Sequence, residues 1–311
     1  MNPMMTPICI ENKKSEFHTP VMVKQVISYL IPDSPALNTM DKLPMYIDAT
    51  LGGGGHAQAI LEKISKGIVV GLDWDEDAVK FSRDRLKQYN NFFPYHTSYT
   101  DIDKIVGQLS EYYLQGVLFD LGVSSHQITL PERGFSYSVE GPLDMRFDQS
   151  QIRTTAQQII QRTSAYDLEK IFSEFGEERR ARKIAAQITT HRNQIKNTRT
   201  LAEIIKQVMP AHFQNKTLSR IFQALRIVVN SELANIKTGL QKAIQLLHQG
   251  GRIIVISYHS LEDRITKQTF KQNKEQGILN ILTKKPLRPE PVEISQNPSA
   301  RSAKLRAVEK I

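Results

Sequence analysis

Short apolar runs alternate with amphipathic stretches through the first half of the chain. Tyr46-Ile47-Asp48-Ala49 leads into four glycines, Gly52 to Gly55, and then into helical spacing at Ala59, Ile60 and Ile64. Ile68-Val69-Val70-Gly71-Leu72 ends at Asp73, and Ala78, Phe81 and Leu86 mark the next helix. A short third run lies near Phe92-Phe93, and Gly116-Val117-Leu118-Phe119 ends at Asp120. Strands alternating with helices predict a parallel, doubly wound sheet.

From about Thr154 to Lys237 the strand period disappears. Apolar residues recur at helical spacing instead: Leu168, Ile171, Phe172 and Phe175, then Ala181, Ile184, Ala185 and Ile188. Leu201, Ile204, Ile205 and Val208 repeat the pattern, as do Leu218, Ile221, Phe222 and Leu225. Thr200-x-x-Glu203 reads as a capping box, and Pro210 stops that helix. A helix through Leu240, Ile244 and Leu247 then meets Gly250-Gly251, and the strand from Arg252 to Ser257 resumes the sheet. Pro286 to Pro298 reads as irregular, and Ala303 to Val308 as a final edge strand. The expectation is an α/β fold: a flexible leader (1–15), a Rossmann-like sheet domain (16–150 and 238–311) and an all-helical insertion (151–237).

Composition narrows the function. Hydrophobic residues make up 40% and charged residues 23%, ordinary for a globular protein. No run approaches the ~18 apolar residues of a membrane span, and the first residues lack a secretory pattern, so a cytoplasmic location is expected. The single cysteine, Cys9, excludes a disulfide framework, a cysteine zinc site and an iron–sulfur cluster. Charge is unevenly placed. Residues 1–150 hold 13 Lys and Arg against 19 Asp and Glu; residues 151–311 hold 28 against 13. An acidic half suits a small cationic ligand, and a basic half suits a polyanion.

The sharpest local string is Asp48-Ala49-Thr50-Leu51-Gly52-Gly53-Gly54-Gly55-His56. Glycines after a first strand let the backbone approach a ligand before a helix N-terminus opens. Asp73 ends the second strand, where a carboxylate can accept ribose hydroxyls. Gly52-x-Gly54-x-x-Ala57 loosely fits a dinucleotide fingerprint, which keeps NAD open. S-adenosylmethionine is favoured by Asp48, placed to act directly or through water on the methionine ammonium, and by Asp120 at the same rim. A sulfonium-bearing amino acid suits an acidic pocket; a pyrophosphate does not.

Three further segments carry polar loops: Asp120 to Gln127, Arg133-Gly134-Phe135-Ser136 with Gly141-Pro142-Leu143-Asp144-Met145-Arg146, and Tyr258-His259-Ser260-Leu261-Glu262-Asp263-Arg264. With His18-Thr19-Pro20-Val21-Met22, Phe175-Gly176-Glu177-Glu178, Ala224-Leu225-Arg226-Ile227-x-Val229-Asn230-x-Glu232-Leu233 and Asn297-Pro298-x-x-Arg301-Ser302-Ala303-Lys304-Leu305-Arg306, they resemble the RsmH/MraW family over residues 18–310. The resemblance implies a class I methyltransferase fold with a helical insertion. It also implies S-adenosylmethionine-dependent methylation of a cytidine N4 in 16S ribosomal RNA, at the decoding centre. The cofactor residues it implies are Gly54, Gly55, His56, Asp73, Tyr99, Asp120 and Gln127. Tyr99 stands where relatives carry phenylalanine, and His126 where proline is common.

The cysteine count also bears on mechanism. C5 methylation of a pyrimidine needs a thiolate nucleophile, and Cys9 lies outside every site-like segment. Methyl transfer to an exocyclic amine needs alignment and organised charge instead. Candidate acceptors for the amine proton are Ser124, Ser125 and His259, with Asp144 as a further one; Ser260 reads as a helix cap. Phe135 and Tyr137 are candidates both for holding an unstacked base and for the core. Arg179, Arg180, Arg182 and Lys183, and Lys284, Lys285, Arg288, Arg301, Lys304 and Arg306, are candidate phosphate contacts, with 16S RNA or the small subunit as partner. A homodimer stays open. Asp73-x-Asp75-Glu76-Asp77 lacks the pattern of a calcium loop and reads as a helix start, so no metal is expected. A nucleotide-dependent oxidoreductase and an RNA-binding scaffold remain as rivals.

Overall fold

The apolar runs pair into one seven-stranded sheet in the computed structural model, which describes residues 19–32 and 42–311. The expected leader, Cys9 and His18 lie outside the described residues. β1 (Leu43–Asp48), β2 (Ile68–Asp73), β3 (Phe92–His96), β4 (Tyr112–Asp120) and β5 (Arg252–Ser257) are parallel. β6 (Leu279–Ile281) and β7 (Lys304–Lys310) complete the order β3-β2-β1-β4-β5-β7-β6, with β7 antiparallel to both its neighbours. The order reverses between β1 and β4, which opens a crevice at their carboxyl ends. Asp48, Asp73 and Asp120 are the last residues of β1, β2 and β4, so all three reach that crevice region.

Side-chain alternation covers both faces of the sheet. Tyr46 points to the face covered by α1 (Val23–Leu30) and α2 (Gly55–Lys63), where Val26, Leu30 and Ile60 are buried. Met45 and Ile47 point to the other face. α3 (Glu76–Arg85) follows β2 and starts on an Asp75 cap, with Glu76 and Asp77 in its first turn. Phe81, read as an inward position of that helix, is 36% exposed; Ala78, Val79 and Ser82 are its buried residues. α4 (Ile102–Gln108) leads to β4, and α5 (Ser125–Thr129) leaves it.

Five helices form the insertion's own apolar core: α6 (Ala156–Arg162), α7 (Ala165–Glu174), α8 (Ala181–His191), α9 (Thr198–Gln207) and α10 (Ala211–Asn230). The cap of α9 is Asn197, which accepts from Thr200 N–H; Thr200 is therefore the third helical residue, not the cap. Ser231, left-handed at φ 51°, breaks the chain between α10 and α11 (Glu232–Leu246). That turn carries the chain back to the sheet, where Ile236, Leu240, Ala243 and Ile244 pack with the β-strand core. α11 thus begins before the expected boundary at 237. α12 (Ser260–Glu275) and α13 (Pro291–Gln296) complete the fold, the latter inside a segment expected to be irregular. The N-cap of α12 is His259 rather than Ser260. No helix among the described residues is long and apolar enough to cross a membrane.

Candidate functional site

A cavity of about 540 Å³ lies at the carboxyl ends of β1, β2 and β4 and continues beneath α10. Its first part is the glycine turn. Gly52 takes φ 47° and donates its N–H to Asp73 Oδ2 at 2.7 Å. Gly54 takes φ 73° and lies against Ser82, where a Cβ would stand 3.0 Å from the hydroxyl. A left-handed backbone with no room for Cβ requires glycine there. Gly55, His56, Asp73, Tyr99, Asp120 and Gln127 line the cavity; Gly54 shapes the turn without lining it.

The carboxylates form an acidic floor. Asp73 accepts from Gly52 and Asp75 N–H, which leaves two of a carboxylate's roughly four lone-pair sites for a ligand. Burial pushes its carboxyl up to about 6. Asp48 is also pushed up to about 6 by burial, and its Oδ2 has no hydrogen-bond partner among the described residues. It lies beneath the lining rather than in it, which sets aside the direct one of the two expected contacts with a cofactor ammonium and leaves the one through water. Asp120 does line the cavity: its Oδ1 accepts from the Tyr258 hydroxyl at 2.7 Å, and its Oδ2 is 3.6 Å from His56 Nδ1. Burial, followed by the Asp120 charge, raises the Tyr258 phenol well above its ordinary value. His56 Nε2 is 2.9 Å from the Val21 carbonyl, which can only accept; the ring proton is therefore on Nε2. Burial lowers the His56 pKa against the pull of nearby Asp48.

An aromatic wall stands beside the acids. Trp74, the only tryptophan of the chain, lies 6.1 Å from the Tyr99 ring and meets Phe147 edge-on. Sequence reasoning did not select Trp74, although its place directly after Asp73 was a usable signal. Phe135 stacks on Phe147 at 5.6 Å but does not line the cavity, and Tyr137 packs on Phe222. Of Phe135, Tyr137 and Phe147, it is Phe147 that lines the cavity. Asn230 holds its backbone N–H at 2.8 Å and donates to the Met145 carbonyl.

The part under α10 carries the candidate catalytic groups. Ser124 caps α5, accepting from Gln127 N–H, while the Gln127 side chain accepts from Ser124 N–H and donates to Asp75. Ser125 follows as the first helical residue, and both serines line the cavity. His259 lines it too, with Nε2 3.2 Å from Glu262 Oε1. Burial pushes the Glu262 carboxyl up, but His259, Arg226 and a backbone N–H outweigh it and hold it below the ordinary value. Arg226 forks onto both oxygens of Glu232 at 2.8 and 2.9 Å, across the Ser231 turn. Glu232, His259 and Glu262 offer ligand atoms within 4.8 Å of one another. That spacing suits a metal ion, but the Arg226 fork already satisfies Glu232, and backbone N–H groups hold Glu262 Oε2. Asp144 does not join the cavity; it is forked onto Arg146 at 2.7 Å.

The arrangement can hold a cationic nucleoside over acids and a second planar group against donors and acceptors under α10. Residues 15–311 match the MraW methylase family. A protein of Caldicellulosiruptor saccharolyticus described as ribosomal RNA small subunit methyltransferase H is 42% identical over 94% of this chain and 99% of its own length. The protein of that description from Halothermothrix orenii is also 42% identical, over 94% and 98%. Among solved structures, an rRNA methylase of Streptococcus thermophilus aligns over 87% of this chain and 88% of its own, at 12% identity and TM-score 0.40.

Proposed function

The chain belongs to the MraW methylase family and is an S-adenosylmethionine-dependent enzyme of small-subunit ribosomal RNA; from that premise we propose that it methylates N4 of a cytidine in 16S RNA by direct in-line transfer. The observation that carries this reading is the continuity of one cavity from the Asp73–Asp120 floor to His259 under α10.

The residues fit the methyl donor. Asp48 is a buried carboxylate with an oxygen that has no hydrogen-bond partner among the described residues, and with Asp73 and Asp120 it sets a negative field. That field suits a sulfonium and an ammonium, and the spare lone pairs of Asp73 suit ribose hydroxyls. Trp74 and Tyr99 supply flat surface for a purine. Bound there, S-adenosylmethionine supplies an electrophilic methyl group.

The rest of the work falls to the protein. Cytidine N4 is a weak nucleophile because its lone pair is delocalised into the ring. A hydrogen-bond acceptor on its N–H returns some of that density, and the proton becomes acidic once the new N–C bond has formed. His259 stands with Nε2 3.2 Å from the buried Glu262 carboxylate, and a ring nitrogen of this histidine is the group that accepts from the amine N–H. Ser124 and Ser125, which line the same cavity, orient the amine with it, and Phe147 offers a face for the unstacked base. No thiolate is needed, in keeping with a chain whose single cysteine is Cys9. The insertion presents Arg179, Arg180, Arg182 and Lys183, all exposed, to the RNA backbone.

The test is product identity. Small subunits, and separately free 16S RNA, are incubated with the protein and methyl-labelled S-adenosylmethionine, then digested to nucleosides. Label in N4-methylcytidine is expected. Label in 5-methylcytidine, or none with either substrate, contradicts the proposal.

A further inference from the structure

Two of the strings singled out in the sequence, Tyr258 to Arg264 and Asn297 to Arg306, contain residues that the methyl-transfer site leaves unused. They meet away from it. Asp263, one turn into α12, accepts from Arg306 Nε at 2.7 Å and lies 3.5 Å from Lys304 Nζ. Asp263 thereby fixes a guanidinium that is 8% exposed. Among the described residues, Nε is the one guanidinium nitrogen of Arg306 in a hydrogen bond, although the group offers five N–H donors. Arg306 borders a second cavity, of about 160 Å³, between α12 and the β6–β7 edge. Its apolar floor is Phe270 and Ile281. Thr283, Lys267, Lys271 and Lys284 complete the wall. The Thr283 oxygen is held by Ala307 N–H, which leaves its hydroxyl proton as a donor. Lys267 and Lys284 are exposed and make no hydrogen bond or ion pair among the described residues. The acids facing the group are Asp263, spent on Arg306 and Lys304, and Glu275, 3.5 Å from Lys271.

We propose that this cavity is an anion site that takes a backbone phosphate of the substrate RNA, remote from the reacting base. A fixed, nearly buried guanidinium with spare donors matches phosphate geometry, and ammonium groups around it add charge without fixing direction. The volume is that of about five waters at ~30 Å³ each, enough for a phosphodiester group. Placement gives the site its use. α12 starts at Ser260, beside His259, and Arg264, Lys267, Lys271 and Lys274 follow at the 3-and-4 spacing that lines one helix face. Lys267 stands ~10 Å along the axis from Ser260 at 1.5 Å per residue. A strand whose base enters the cavity under α10 is thus led along α12 and held a few nucleotides away. The inference rests on the rRNA methyltransferase reading.

The test uses the full chain, wild type and Lys267→Glu/Lys284→Glu, both surface positions. Three quantities are read: S-adenosylmethionine affinity by calorimetry, 16S RNA affinity against salt, and methyl transfer to small subunits. For the variant we expect S-adenosylmethionine affinity within about twofold of wild type. RNA affinity should fall about tenfold or more near 0.1 M salt, with a log–log salt slope shallower by about 1, the share of one or two phosphates. KM for subunits should rise with kcat little changed. Unchanged RNA affinity and salt slope in a variant that still binds the methyl donor overturns the phosphate site while leaving the methyltransferase reading intact. Absence of transfer by the wild type overturns that reading itself. Protection of the Lys267 and Lys284 side-chain signals by inorganic phosphate, but not by a short RNA, would assign the site to a free anion and overturn the RNA-backbone role.

Discussion

His259 Nε2 lies 3.2 Å from Oε1 of Glu262, a carboxylate with no solvent exposure whose other oxygen accepts the Tyr258 and His259 N–H groups. The contact sets a buried negative charge against the ring at the cavity wall. Glu262→Gln keeps the size and the backbone bonds but removes the charge that faces the His259 ring. It is expected to lower kcat by about 10²-fold while S-adenosylmethionine affinity stays within about twofold. His259→Ala should cost about as much, and the double variant little more, because the two act as one unit. Single-turnover transfer rates check this; additive losses contradict it.

Donor affinity should depend on pH. Burial raises Asp48 and Asp73 to about 6, so both take up protons as pH falls through that value. A cationic ligand binds the ionised form, so affinity should be full near pH 7.5 and weaken as pH drops below 6, with protons released on binding. Asp48→Asn should flatten that dependence. Calorimetry in buffers of different ionisation enthalpy measures the release; a flat profile from pH 7.5 to 5 in the wild type contradicts it.

Trp74 is the only tryptophan and lines the cavity beside Tyr99. Its fluorescence should therefore change saturably with S-adenosylmethionine, and the signal should vanish in Trp74→Phe. A wild-type protein that binds the donor with no change in emission would place the adenine elsewhere.

Arg226 and Glu232 are 13% and 6% exposed and joined by two short bonds. Arg226→Ala leaves a buried carboxylate without its partner, at a cost of about 3–5 kcal/mol. Arg226→Met with Glu232→Leu removes both charges and should recover most of that stability without recovering activity. Chemical denaturation compares the three; equal stability of wild type and Arg226→Ala would remove the pair from the account.

Much of this site was legible because the strand tips announce themselves. Asp48, Asp73 and Asp120 each end an apolar run, and a parallel sheet brings such ends to one rim. The wall under α10 was not legible in the same way. Arg226 and Glu232 meet only because Ser231 turns left-handed, and Phe147 reaches the cavity because Asn230, 83 positions away, holds its N–H. Helical periodicity says nothing about either contact. His259 and Glu262 stand three apart in an obvious string, but that spacing reads as a helix cap, and the cap itself fell on His259 rather than Ser260. Asp48 was placed at the right end of the right strand, yet burial beneath the lining could not be read from one residue's position.

Every step requires the methyl donor on the acidic floor. The measurement that tests this most directly is calorimetric titration of the protein with S-adenosylmethionine and with NAD, repeated on Asp73→Ala. Saturable binding of S-adenosylmethionine alone, lost or strongly weakened in the variant, is the predicted result. Binding of NAD instead, or of S-adenosylmethionine with equal affinity to Asp73→Ala, would contradict the account.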